Sequence, residues 1–171
     1  MVSQGIPMVL MGEEYAHTRH GNNNTWCQDN QLNWFLWNRI ENRPGFFRYF
    51  KALIDFRKSH SQLRSKHFLS DKEITWHGLT PFNPEWNIDN HFLAFTLHSR
   101  DQKELYIAFN AFHQQVTVKL PPASGGKGWK WVVNTSNPSP HDFFEPGDQQ
   151  DMEETTYKMT PYSAILLEAN I

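Results

Sequence analysis

The sequence predicts an incomplete α/β unit followed by an antiparallel β-sandwich. Three observations carry this. Ile6 to Met11 is an almost unbroken apolar run, the pattern of a strand buried on both faces. Pro44 to Lys58 repeats its aromatic residues at helical spacing. Beyond about Ser65 the apolar residues recur at every second position, between clusters of Gly, Pro, Asn and Asp. The first two make one strand–loop–helix unit over residues 1–66, and the third makes an all-β domain over residues 67–171.

The first run, IPMVLM, ends at Gly12. It lacks alternation and is too short for a helix, and Pro7 is tolerable because it stands near the start of the strand. A parallel strand needs parallel neighbours, and no second strand with a crossover helix follows. Residues 1–66 are therefore expected to expose a wide apolar face, because they cannot close a barrel of about 250 residues. Glu13 to Asn42 is a long polar connection with three consecutive asparagines and three tryptophans. Connections of that length in compact domains are often functional. Leu32 to Trp37 reads as a short helical turn. In the helix, Phe47, Phe50 and Ile54 lie on one stripe that Phe46, Leu53 and Phe56 widen. Asn42 is its candidate N-cap and Pro44 fits the first turn.

The β domain reads as short strands at Ile74–His77, at Phe92–His98, around Leu105 to Phe109, around Val116 to Leu120, at Trp129 to Val133 and at Ile165 to Leu167. Residues 80–90 and 136–155 read as long loops. Trp129 and Trp131, two apart, share one face of their strand. They belong either to the core or to an exposed pair suited to a neutral polymer.

Composition narrows the partners. The chain has 13 Phe, 7 Trp and 5 Tyr, enough both for a core and for stacking on flat ligands. Its 16 basic and 18 acidic residues leave a formal charge of −2, with no Lys/Arg cluster, so a nucleic-acid partner is not expected. No apolar run approaches the length of a membrane-spanning helix. Cys27 is the only cysteine, which excludes an intrachain disulfide. His17, His20, Cys27 and Asp29 do not have the spacing of a structural zinc site, and no metal or cofactor is expected.

The residues Gly5-Ile6-Pro7-Met8-Val9-Leu10-Met11-Gly12-Glu13-Glu14, followed by HTRHGNNNTWCQD at His17 to Asp29, resemble the α-amylase superfamily around its eighth barrel strand. The isoamylase-type debranching enzymes of plants, algae and bacteria are the branch they are most similar to. Gly5, Pro7, Gly12 and Glu14 meet the superfamily's structural motif. Gly21, Asn22, Asn23, Asn24, Trp26 and Asp29 meet the more specific loop pattern. FRKSH at Phe56 to His60 resembles the eighth barrel helix. ITWHG, LAFTLH, YIAFNAF and PYSAILL resemble the plant-type C-terminal domain, so the resemblance covers essentially the whole chain. Glu13 stands where the family usually carries Asp, and Trp26 where a tyrosine is frequent.

The resemblance implies a (β/α)8 barrel end (strand 8, long loop, helix 8) followed by the β-sandwich. It also implies a parent enzyme that hydrolyses α-1,6 branch linkages of starch or glycogen. Such retaining chemistry uses an Asp nucleophile and a Glu acid/base roughly 5–5.5 Å apart. In the family those acids lie on earlier strands, so no catalytic residue carries over to this chain. Arg19, Asn22, Asn23, Asn24, Trp26, Asp29 and Trp34 are the candidate substrate-binding residues. Asn amides match sugar hydroxyls in donors and acceptors, and they equally cap turns. The tryptophans can stack on glucose or pack the loop. The implied partners are a branched α-glucan, met through the parent enzyme, the barrel portion that would precede this piece, and a homo- or hetero-oligomer of debranching subunits. The implied location is the plastid for a plant or algal protein and the cytoplasm otherwise. The alternative reading is a non-catalytic module that binds carbohydrate, or that stabilises a barrel and supports oligomerisation.

Overall fold

The computed structural model describes residues 1–99 and 103–170. The chain divides into two compact units, Met1–Arg64 and Ser65–Ile171.

The first unit holds two α-helices, α1 (Asn38–Asn42) and α2 (Pro44–Ser59). Pro44 starts α2, where its missing N–H costs nothing. The residue flanking α2 is Arg43 rather than the expected Asn42, which is consumed as the last residue of α1. Ala52, Phe56 and His60, at helical spacing, form the buried side of this segment, and Phe56 stacks on His60 with ring centroids 3.8 Å apart. Arg57 is the anomaly. It is only 6% exposed, and its guanidinium donates to the carbonyls of Met1 (2.6 Å), Ser3 (2.7 Å) and Gly5 (2.5 Å). A buried guanidinium must be satisfied by several acceptors, and three backbone carbonyls do this while fixing the N-terminal segment on the helix.

The expected strand over Ile6 to Met11 does not form. The segment carries no strand assignment, and Ile6 and Met8 are 98% and 97% exposed. A strand exists only through its ladder, and the first unit supplies no neighbour to hydrogen-bond it. The expected helical turn shifts slightly forward, to Asn30–Trp34, where the Asn30 carbonyl accepts from the N–H groups of Asn33 and Trp34.

The second unit is built of antiparallel strands. They are β1 (Ile74–His77), β2 (Phe92–His98), β3 (Lys103–Asn110), β4 (Val116–Lys119), β5 (Trp129–Asn134), β6 (Asp151–Met152), β7 (Thr156–Met159) and β8 (Ser163–Asn170). Six of them form one sheet in the order β1-β2-β3-β8-β5-β6, and β4 and β7 pair as a second sheet. One core joins the two. Phe92 and Ala94 of β2, Tyr106 and Ala108 of β3, Trp129 of β5, and Ile165 and Leu167 of β8 meet Val118 of β4 and Met159 of β7. Burial of such side chains contributes roughly 1.5–3 kcal/mol apiece, so this layer dominates the stability of the unit. Leu97, Leu105, Ile107 and Leu166 are buried as well, at positions of opposite strand phase. The central strands are thus apolar on both faces, and alternation alone does not say which set forms the inter-sheet core.

Two polar devices close the unit. The Glu104 carboxylate, buried in β3, accepts from the Ser124 hydroxyl (2.6 Å), the Ser124 N–H (2.9 Å) and His98 Nδ1 (2.6 Å). It ties β2 and β3 to the Pro-rich segment after β4. His77 Nδ1 accepts from the Phe82 N–H (3.0 Å), so its Nε2–H is the donor to Thr96 Oγ1 (2.9 Å). Gly78 follows directly. A Cβ there would lie 2.2 Å from the Asn83 carbonyl oxygen, so only glycine allows the turn back from β1.

Candidate functional site

The long loop of the first unit is organised from the inside by the motif residues Gly12 and Glu14 together with Tyr15, His17 and Asn33. Gly12 adopts φ 99°, and a Cβ there would meet His17 at 2.9 Å. The Gly12 N–H donates to Glu14 Oε2 at 2.9 Å, which caps the turn. The turn drives Tyr15 into the interior, where it is 1% exposed. Its hydroxyl accepts from the Leu36 N–H (3.0 Å), and its ring packs edge-on against Phe35 at 5.0 Å. His17 Nε2 donates to the Leu32 carbonyl (2.9 Å). Both ends of the loop are therefore sewn to one aromatic hub.

Asn33 closes the middle. Its amide donates to the Thr25 carbonyl (2.6 Å) and the Gln28 carbonyl (2.8 Å), and it accepts from the Thr25 hydroxyl (2.5 Å). The Asn22 side chain accepts from the Asn24 N–H (3.0 Å), and the Asn24 side chain accepts from the Trp26 N–H (3.1 Å). Two successive Asx turns result, a conformation in which a short amide replaces a backbone partner. Asn23, between them, points its amide to solvent, with no protein partner among the described residues.

This scaffold brings Arg19, Asn22, Asn23, Asn24, Trp26 and Asn33 around one open depression of about 510 Å³. Trp26 is 84% exposed beside it. Five of the seven candidate substrate-binding residues thus converge. The other two stand apart as a pair, with the Trp34 indole N–H donating to Asp29 Oδ1 at 2.6 Å. That bond commits the Asp29 carboxylate to holding a half-exposed indole. The motif residues serve the backbone. Gly12 and Glu14 form the turn, Gly5 offers its carbonyl to Arg57, and Pro7 is exposed.

The lining of the depression consists of amides, a guanidinium, an indole, a hydroxyl, a thiol and Leu10. It contains no carboxylate. Amides and a guanidinium can grip hydroxyls and an indole can stack on a ring face, and the lining offers no carboxyl group as a general acid. Among the described residues no group of three His, Cys, Asp or Glu side chains is arranged to hold a metal ion.

Of the organising residues, Arg57 had a legible signal, a charge interrupting the apolar stripe of a helix. Tyr15 had a weaker one, an aromatic three residues after a glycine in an otherwise polar stretch. Asn33 had none, because its role depends on partners that only the folded loop brings near.

The β unit and the whole chain have known counterparts. The family model "Isoamylase 1-3, C-terminal" matches residues 75–171. The chain is similar to chloroplastic isoamylase 1 of Arabidopsis thaliana, 40% identical over 178 residues, covering 98% of this chain and 23% of that protein. It is 42% identical over 172 residues to chloroplastic isoamylase 3 of Oryza sativa subsp. japonica, covering 99% of this chain and 21% of that protein. It is 32% identical over 187 residues to an isoamylase of a Flavobacterium species, covering 98% of this chain and 24% of that protein. The chain therefore spans less than a quarter of the length of these relatives. In fold it is similar to a pullulanase of Paenibacillus barengoltzii solved with maltohexaose and α-cyclodextrin, with a TM-score of 0.72 and 21% identity over 99% of this chain and 24% of that one.

Proposed function

Because this chain belongs to the family of isoamylase C-terminal regions, we propose that it forms the non-catalytic C-terminal portion of a glycoside hydrolase that cleaves α-1,6 branches in starch or glycogen. The observation that carries this reading is the acid-free depression, rich in amides and flanked by Trp26. It is equipped to hold glucan hydroxyls and lacks the means to break a glycosidic bond. Retaining hydrolysis needs two carboxyl groups roughly 5–5.5 Å apart. Glu14 and Asp29 are already engaged in structural hydrogen bonds. The acids would come from the rest of the parent enzyme, and Asn23 and Trp26, with free amide and indole, would meet the substrate at the rim of its cleft.

The exposed run from Ile6 to Met11 fits the same reading. It would serve as the eighth strand of a (β/α)8 barrel whose other strands supply the ladder that this chain lacks. The role of barrel stabiliser, and a part in an oligomer of debranching subunits, are compatible with it. The plant relatives are chloroplastic, and a plastid location follows if this chain comes from a plant or alga, a cytoplasmic one otherwise.

The test is an assay of the purified chain on amylopectin, reading new reducing ends and linear-chain release. No release above background is expected. Release of linear chains by the chain alone would overturn the non-catalytic assignment.

A further inference from the structure

A second open groove lies in the β unit, far along the sequence from the loop site. It occupies about 990 Å³, at the upper end of the range for ligand pockets, and is lined from both sheets. Trp131 of β5 and Tyr157 of β7 form its aromatic corner, with ring centroids 5.0 Å apart and planes at 69°. Both rings are half-buried at the edge of the core, so each keeps a solvent-facing portion.

The corner is preorganised. Asn134, buried in β5, donates to the Tyr157 hydroxyl at 2.8 Å and accepts from the Ser136 N–H at 3.1 Å. The Tyr157 oxygen is thus held in place while its own O–H remains free to donate. The Trp131 backbone N–H donates to the Gln150 carbonyl at 2.9 Å, which fixes the facing wall. No described residue accepts from the Trp131 indole N–H, so that donor also faces outward. Around this corner stand Gln149, Gln150, Glu153 and Glu154 on one side and Thr117 and Lys158 on the other.

The chemistry of the lining selects the ligand. With Asp151, Glu153 and Glu154 against Lys158, the groove has more acidic than basic groups and would repel a polyanion. An uncharged ligand with an apolar face and many hydroxyls fits both the aromatic corner and the amide and carboxylate acceptors. We propose that the Trp131–Tyr157 groove is a second glucan-binding site, which seats a linear α-1,4-linked segment remote from bond cleavage. The choice of α-glucan over other neutral sugars rests on the proposed debranching function, whereas the groove itself does not.

The experiment titrates maltoheptaose and, separately, cellohexaose into the full chain. It follows the indole N–H resonances by NMR, with Trp131→Phe used to assign its signal. The expected result is a saturable shift of the Trp131 indole N–H with maltoheptaose and none with cellohexaose. Tyr157→Ala, which keeps the Trp131 indole as reporter, should weaken maltoheptaose binding by at least roughly tenfold, whereas Trp86→Ala leaves that shift unchanged. Because the Trp131 indole signal can also be assigned in the wild type by through-bond correlation to its backbone, the proposal stands or falls even if one variant misfolds. No shift at Trp131, or a shift only at Trp26 or Trp86, overturns the site without touching the debranching reading. An equal response to cellohexaose overturns the α-glucan assignment and counts against that reading too.

Discussion

His77 and Glu104 show how single polar groups set the acid stability of the β unit. The buried His77 ring accepts from the Phe82 N–H, and burial, followed by the charge of His98, lowers its pKa from 6.5 to about 4. Its folded-state pKa lies below the unfolded one, so the unfolded chain binds more protons between those values. The contribution is complete above about pH 6.5 and is lost as pH falls toward 4. Glu104 follows the ordinary carboxylate sign. Burial pushes its pKa up, but the Ser124 hydrogen bonds and His98 outweigh burial and leave it below 4.5. Its contribution therefore disappears only below that range. Between pH 7 and pH 4.5 the wild type should lose on the order of 2 kcal/mol more stability than His77→Asn. Chemical denaturation across that range would check it, and parallel curves for the two proteins would contradict the assignment of His77 as a buried neutral ring.

At the scale of the element, the loop is a rigid device rather than a tether. Asn33 makes three hydrogen bonds to Thr25 and Gln28, and Tyr15 anchors the far end through Leu36. Asn33→Ala should lower local stability by about 1–2 kcal/mol and speed exchange of the Gln28 amide, which donates to the Thr25 carbonyl. Unchanged exchange at Gln28 would mean that the loop is held by something else. The longer strands of the large sheet announce themselves by period-two patterning with turn residues between them. β6, with two residues, and β7, with apolar side chains only at Tyr157 and Met159, carry too little pattern to register, and both fall within or beside a stretch that reads as loop. Ile6 to Met11 shows the reverse failure. Its composition is that of a buried strand, but composition cannot supply the neighbouring ladder. Likewise the convergence of Arg19, Asn22, Asn23, Asn24 and Trp26 was legible as a local loop motif, whereas the Asn33 clasp and the Trp131–Tyr157 corner depend on contacts 8 and 26 residues apart in the chain.

At the scale of the whole molecule, the two units differ in completeness. The β unit has its own two-sheet core with polar latches at its edge. The first unit presents an apolar run, an acid-free depression and a helix whose Phe46 and Phe47 remain exposed. Those features are liabilities in isolation and assets in a larger enzyme. Residues 1–171 should therefore function when set in the frame of a relative. Replace the corresponding C-terminal segment of Arabidopsis isoamylase 1, which this chain matches at 40% identity, with residues 1–171, and measure linear-chain release from amylopectin. The chimera should debranch within roughly tenfold of its parent. A soluble, cooperatively folded chimera with no debranching activity would contradict it.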